Sequence, residues 1–277
     1  MTDFLIKKTT GEKEPFQRQK IIKSLQAIGA DDKTIDTILT SIEQEHPRIK
    51  NTQQIFSIAK AMLKKINPAL ASRYNLKQAL FAFGPAGYPF ERYVSALLQA
   101  EGYAVQTNQT LNGYCIEHEI DVLIHKHDHT GIVECKFHNR AQYKSDVKVP
   151  LYVHARLADL QKNKSLQIDN AWVVTNTIFT KEAIKYAACE KMHLISWGYP
   201  KGYSLKELIT KHNLHPITAL VNLTGRQKKL LLKEGIVLCR DIHTHEGVLK
   251  QLGLPKKEVA QLIKDAQATC LLKAITK

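Results

Sequence analysis

Apolar positions change their period twice along the chain. In QRQKIIKSLQAIG, Ile21, Ile22, Leu25 and Ile28 recur at helical spacing and Gly29 closes the run, which predicts a helix. A second helix is predicted after Asp31–Asp32. A third follows Asn51–Thr52, with Ile55, Ile58, Ala59 and Met62 on one face, and a further helical segment leads into FAFGP. Ahead of these, FLIKK (4–8) and KEPF (13–16) flank the turn TTG and predict a small hairpin. FGPAGYPF (83–90), with two glycines and two prolines, marks a boundary. Beyond it, FERYVSALLQAEGY predicts a helix whose apolar face is Phe90, Val94, Leu97 and Leu98. YAVQT, YCIEHEIDVLI and GIVECKF predict strands. Residues 144–163 predict a helix, DNAWVVTNT a strand, TKEAIKYAACEKM a helix and HLISW a strand, an alternation that implies an α/β domain. Trp172 and Trp197 fall on these strands and read as core. From about Pro216 the pattern becomes short helices and glycine turns, LTGRQKKLLLKEGIV and VLKQLGLPKKEVAQLIKDAQ.

Three domains are therefore expected, at 1–86, 87–215 and 216–277, within a chain of 277 residues. Composition sets outer limits. With 44% hydrophobic and 24% charged residues the chain can build real cores. No run approaches the roughly 20 apolar residues of a membrane helix, so no membrane partner is expected. The stretch MTDFLIKKTTGEKEPF has no apolar h-region and reads as no secretory signal. The five cysteines (115, 135, 189, 239, 270) are widely spaced and form no CxxC pair, so neither a disulfide framework nor a zinc site is expected, and a cytoplasmic location fits.

Charge changes the picture more. The formal net charge is +14. Residues 1–86 and 216–277 each carry a net +6, whereas 87–215 carry only +2. A basic balance favours polyanionic partners, nucleic acid first, against the plainer reading of solubility alone.

The strands at 119–137, EIDVLIHKHDHTGIVECKF, carry acids and a lysine on an otherwise apolar pattern. Side chains two apart share a strand face, so Glu117, Glu119 and Asp121 point one way and Val122 and Ile124 the other. On the next strand Glu134 and Lys136 share a face. If the strands pair, Asp121 meets Glu134 with Lys136 one step on. Two converging carboxylates repel, and a divalent cation with oxygen ligands resolves the conflict. Lys136 then places positive charge beside a metal-bound water, the outline of a phosphodiester-hydrolysis site. The plain alternative is an acid–lysine ion pair on a half-exposed sheet. Three alternating histidines in HKHDHTG (125–131) read as a solvated hairpin tip.

Asp121, twelve intervening residues, then Glu134–Cys135–Lys136 within IVECK resembles the PD-(D/E)xK nuclease superfamily, closest to the Mrr-type restriction endonucleases, with Holliday-junction resolvases as relatives. Ile120 stands where the name-giving motif has proline. The resemblance covers residues 87–200. It implies an α/β fold with a central mixed sheet of restriction-endonuclease type, a Mg²⁺ (or Mn²⁺) ion on Asp121, Glu134 and the carbonyl of Cys135, and Lys136 activating the attacking water. Many members add a glutamate from the first helix, here Glu91, which lies at the edge of the apolar face between site and water. His118 and Glu119 are second-tier candidates. Lys148 and Arg156, on the helix at 144–163, are expected to contact phosphate or to form a solvated face.

At the N-terminus, IKKTTGEKEPFQRQKIIKSL resembles the ATP-cone, a nucleotide-sensing domain, over about residues 3–83. By motif position Lys7, Lys8, Glu14, Lys20 and Ile21 would contact ATP or dATP, and Thr52 would join from the third helix. Thr9 and Thr10 replace the motif's aspartate region. At the C-terminus, KEGIVLCRDI and LGLPKKEV resemble a helix-hairpin-helix module, with Arg226, Gly253, Lys256 and Lys257 as DNA contacts; ordinary helix capping gives the same pattern. The combined expectation is a metal-dependent endodeoxyribonuclease regulated by ATP or dATP, a homo-oligomer acting in restriction, phage defence or repair. A non-catalytic DNA-binding regulator and a junction resolvase are the alternatives.

Overall fold

The structure, a computed structural model, describes residues 5–7, 13–45, 48–84 and 87–271. Two compact units divide the chain: residues 1–79 with 215–231 and 238–277, and residues 80–214 with 232–237.

In the first unit β1 (Leu5–Lys7) pairs antiparallel with β2 (Lys13–Pro15), the expected hairpin. Five helices follow: α1 (Arg18–Gln26), α2 (Asp32–Gln44), α3 (Thr52–Ile66), α4 (Pro68–Tyr74) and α5 (Leu76–Ala79). Local chemistry starts them. The Asp31 carboxylate accepts from Thr34 N at 2.8 Å to open α2. Asn51 and Gln54 form a reciprocal capping box on α3. The apolar stripes meet in one core in which Leu25, Ile38, Leu39, Ile42, Ala59 and Leu63 are fully buried.

The second unit opens with α6 (Tyr88–Ala100) and continues through β3 (Ala104–Asn112), β4 (Glu117–Lys126), β5 (His129–Lys136), β6 (Lys144–Ser145), α7 (Lys148–Lys162), β7 (Asn170–Thr175), β8 (Ile178–Phe179), α8 (Lys181–Cys189), β9 (His193–Ile195) and α9 (Leu205–His212). Its five-stranded sheet runs β3-β4-β5-β7-β9. The first two pairings are antiparallel and the last two parallel, a mixed sheet. From Ala171 on, β7 is buried along its whole length, as a strand covered on both faces must be.

Two expectations are corrected here. The helix read from residue 144 begins at Lys148, because Lys144–Ser145 pairs instead in parallel with Ile178–Phe179 and Thr180 N donates to Ser145 O at 3.1 Å. Trp197 is not on a strand: β9 ends at Ile195, and Trp197 lies in the turn bridged by Ser196 and Tyr199. Trp172 is core on β7, as read.

The C-terminal helices are α10 (Gly225–Lys233), α11 (Glu246–Lys250) and α12 (Lys256–Leu271). The sequence sets 216–277 apart, yet most of this segment belongs to the first unit. Arg73 Nε donates to Thr269 O at 2.8 Å and Thr218 Oγ1 to Ala79 O at 2.8 Å, both buried, and Val221 packs on the helical core. About sixty residues in short helices bury too little surface alone, and the N-terminal helices supply the missing cover.

Candidate active site

Pairing of β4 with β5 sets the site. Val122 lies opposite Val133 and Leu123 opposite Ile132, with Ile120, Val122 and Val133 buried. One step further along this ladder are Asp121 and Glu134. Cys135 N donates to Asp121 Oδ2 at 2.7 Å, which fixes the Asp121 carboxylate across the strands. Asp121 and Glu134 are half-buried and Lys136 is exposed, at the end of a central strand where Lys136 pairs with Thr175 of β7.

Helix α6 brings the third carboxylate. It packs on β3, β4 and β5, and Glu91 sits in its first turn. The glycines before it permit close approach. A Cβ on Gly84 would lie 2.2 Å from Cε1 of Phe137, whose ring meets Phe90 at 5.8 Å. A Cβ on Gly87 would lie 3.1 Å from Glu91 Oε1. The segment read as a boundary is thus also a packing device that seats α6 against the end of β5.

Burial, then the charges of Asp121 and Glu134, push the Glu91 carboxyl up to about 7. Burial is also the main cause raising Asp121, helped by Glu134 and opposed by the Cys135 N–H, Arg156 and Lys136. Burial drives the Cys135 thiol far up, so it acts as an apolar wall. Arg156 was expected on a solvent or phosphate face. It is half-buried beside the site rather than on a solvated face: its Nη1 is 2.9 Å from Glu134 Oε2 and its guanidinium stacks over Tyr152 at 5.0 Å. Lys148 is exposed at the start of α7.

His118 has a different task from the one considered for it. Its Nε2 is 2.9 Å from Asp159 Oδ2, and the same carboxylate accepts from Cys115 N at 2.9 Å. Burial opposes the charge, but these hydrogen bonds hold Asp159 at about 2. The pair braces the β3–β4 turn, and only the small residue Gly113 gave a sequence signal for it: a Cβ there would lie 2.1 Å from Asp159 Oδ2. Glu119 is exposed. The three histidines at 125–129 surround a two-residue hairpin turn with His127 at φ 53°.

The donor set suits a hard cation. Asp121, Glu134 and the Cys135 carbonyl offer oxygens, and burial first, then neighbouring negative charge, raises the Glu91 and Asp121 carboxyls. Among the described residues no group of three His, Cys, Asp or Glu side chains is arranged to hold a metal ion by itself.

In the first unit, Lys20, Ile21 and Thr52 line one cavity of about 140 Å³ together with Phe16, Phe56 and Tyr74. Lys8 lies outside the described residues, as do the side chains of Lys7 and Glu14. Arg226 is exposed on α10. Gly253 takes φ +69° between α11 and α12, and Lys256 and Lys257 open α12, both exposed.

A sequence profile described as restriction endonuclease, of the Mrr catalytic type, matches residues 86–198, and one described as AF1548-like, C-terminal, matches residues 215–270. The first span holds Glu91, Asp121, Glu134, Cys135 and Lys136. An uncharacterized protein of Archaeoglobus fulgidus is 34% identical over 175 residues, which span 63% of this chain and 98% of that protein. The crystal structure of AF1548, a protein of unknown function, is similar at a TM-score of 0.56 and 32% identity over 67% of this chain and 98% of its own. The MspJI restriction endonuclease, solved with a 27-mer oligonucleotide, matches at 14% identity over 46% of this chain and 29% of its own; its TM-score of 0.33 carries no weight.

Proposed function

The chain belongs to the AF1548-like family, and on that premise we propose that it is a divalent-metal-dependent endonuclease that hydrolyses DNA phosphodiester bonds and answers to ATP or dATP. The observation that carries the reading is the convergence of Glu91, Asp121 and Glu134 beside Lys136, at the end of the central strand of a restriction-endonuclease domain. Such crowding costs stability, and a catalytic site is where that cost is repaid.

Asp121, Glu134 and the Cys135 carbonyl would hold Mg²⁺ or Mn²⁺, which supplies Lewis acidity towards a phosphate oxygen and lowers the pKa of a bound water. The chain's own groups then have distinct tasks. Lys136, exposed and close enough to Asp121 to act on its charge, orients the attacking water and offsets the negative charge that grows on phosphorus-bound oxygen. Glu91, with its carboxyl near neutrality, accepts or returns a proton at its carboxylate oxygen at physiological pH. Arg156 holds Glu134 in place through its ion pair. Lys148 faces solvent on the same domain and suits a substrate phosphate.

Two further assignments extend the reading. Arg226, Gly253, Lys256 and Lys257 act as a DNA grip of helix-hairpin-helix type, supported by a positive-φ glycine between two helices and by exposed charge. ATP-cone-like nucleotide binding is supported by the cavity that gathers Lys20, Ile21 and Thr52. At about 140 Å³ it takes only part of a nucleotide, since whole-ligand pockets run from roughly 300 Å³ upward. Lys7, Lys8 and Glu14 would supply the remaining contacts.

The test is plasmid cleavage with Mg²⁺ or Mn²⁺, with and without ATP and dATP, by wild type and by Asp121→Asn, Glu134→Ala and Lys136→Ala. Wild type is expected to cut, and each variant to cut at least about a hundredfold more slowly while still binding DNA, because these groups act on the transition state. Wild-type cleavage rates in purified Asp121→Asn protein would refute the site.

A further inference from the structure

Outside the carboxylate site, the first unit carries a concentration of positive charge that the assignments above do not use. Thr52, Phe56, Lys60 and Lys64 recur every four residues on α3, so they form one stripe along the helix. Lys60 Nζ lies 5.5 Å from the Phe56 ring centroid, and that ring stacks on Tyr74 at 5.0 Å with 14° between planes. Lys228 of α10 comes up against the same stripe. It is half-buried, and burial followed by the charges of Lys60 and Lys64 pulls its ammonium down to about 8. Among the described residues none of these three lysines has a carboxylate within ion-pair distance. Lys60 Nζ donates to the Asn75 side-chain oxygen at 3.5 Å.

Three ammonium groups therefore act on one another, one of them partly desolvated, and among the described residues no carboxylate pairs with them. On an ordinary solvated surface opposite charges are interspersed, and a long lysine turns away from like charge at little cost. Here Lys228 is half-buried on α10 and stands close enough to Lys60 and Lys64 to feel both charges. The aromatic pair Phe56–Tyr74 borders the stripe at Lys60, which is half-buried, while Lys64 is exposed. Ammonium groups gathered in this way recognise phosphate as point charges.

We propose that Lys60, Lys64 and Lys228 form a phosphate-binding site on the first unit, for a ligand with several linked phosphates. Its three lysines lie outside the lining of the Lys20, Ile21 and Thr52 cavity, although Thr52, Phe56 and Tyr74 border both, and it does not depend on the nuclease reading. The linked phosphates come either from a polyphosphate, free or carried by a nucleotide, or from a nucleic-acid backbone.

The experiment compares the full-length chain with the Lys60→Gln/Lys64→Gln/Lys228→Gln variant and with Lys228→Gln alone. All are kept in EDTA, and the probes are inorganic tripolyphosphate, ATP and a 20-base-pair DNA duplex. The expected result is at least a tenfold loss of affinity in the triple variant for one or more probes. Loss for tripolyphosphate and ATP with DNA binding intact assigns a nucleotide phosphate tail. Loss for DNA with a flatter salt dependence assigns the backbone. Without ligand, the triple variant should melt at or above the wild-type temperature, since like-charge repulsion has gone, and tripolyphosphate should raise the wild-type melting temperature but not the variant's. Should the triple variant fail to fold, Lys228→Gln carries the same comparison with an expected loss of severalfold. Unchanged affinity for all three probes in the folded variants would overturn the proposal.

Discussion

Replacing Glu91 with glutamine removes one negative charge from the cluster around Asp121 and Glu134 and keeps nearly the same side-chain volume. The carboxyl moves from 4.5 to about 7 in the folded protein. Taken whole, that displacement corresponds to about 3 kcal/mol. Glu91 is only half-buried, so water screens part of it, and about 1–2 kcal/mol is the realistic magnitude. The sign follows from linkage. A carboxyl whose folded pKa is raised binds its proton more tightly in the folded state. The folded wild type is therefore penalised as pH rises from about 4.5 to about 7, and the penalty is constant above that. Glu91→Gln should be no more stable than wild type near pH 4.5. Its advantage should grow through that window and reach about 1–2 kcal/mol at pH 8, read as thermal or urea melts in EDTA. Adding Mg²⁺ should reverse the order, stabilising wild type more than the variant, because the cation relieves the same repulsion that the substitution removes. A stability difference that is the same at pH 5 and pH 8 would refute the reasoning, since it would mean that Glu91 feels neither the burial nor the neighbouring charges ascribed to it.

Two further outcomes are expected. Gly84→Ala should destabilise the sheet unit by about 1–3 kcal/mol and slow cleavage, because the new Cβ meets the Phe137 ring next to Lys136; unaltered melting would show that the ring moves aside freely. Because most of 216–271 belongs to one unit with the N-terminal helices, deleting the tail would unfold more than a DNA grip, so charge removal is the sound test. The combined Arg226→Gln/Lys256→Gln/Lys257→Gln variant should bind DNA more weakly and lose about 0.9 from the slope of log affinity against log salt for each phosphate contact removed, measured by fluorescence anisotropy; an unchanged slope would place the grip elsewhere.

Much of the catalytic half can be read from residue order. The two-residue period of EIDVLI and GIVECK puts Val122, Ile124 and Val133 into the core, and the short turn at His127–Asp128 leaves one register for the pair. That register brings Asp121 beside Glu134. The helix starts at Asp31 and Asn51 were equally legible, since a cap acts over three residues.

What the chain order could not decide were approaches between elements far apart in sequence. Glu91 at the edge of a helical face was equally compatible with water or with the site, and only the seating of α6 on β3, β4 and β5 put it among the carboxylates. That Arg156 pairs with Glu134, 22 positions away in sequence, was likewise set only by where α7 lies. The union of the N-terminal helices with the C-terminal ones rests on contacts such as Arg73 to Thr269, 196 residues apart. Lys228 became part of a charged cluster for the same reason. Periodicity and capping are local properties, set by which neighbours share a face or a turn. The meeting of distant side chains depends on how whole apolar faces find cover, and that is settled only when the complete chain has packed.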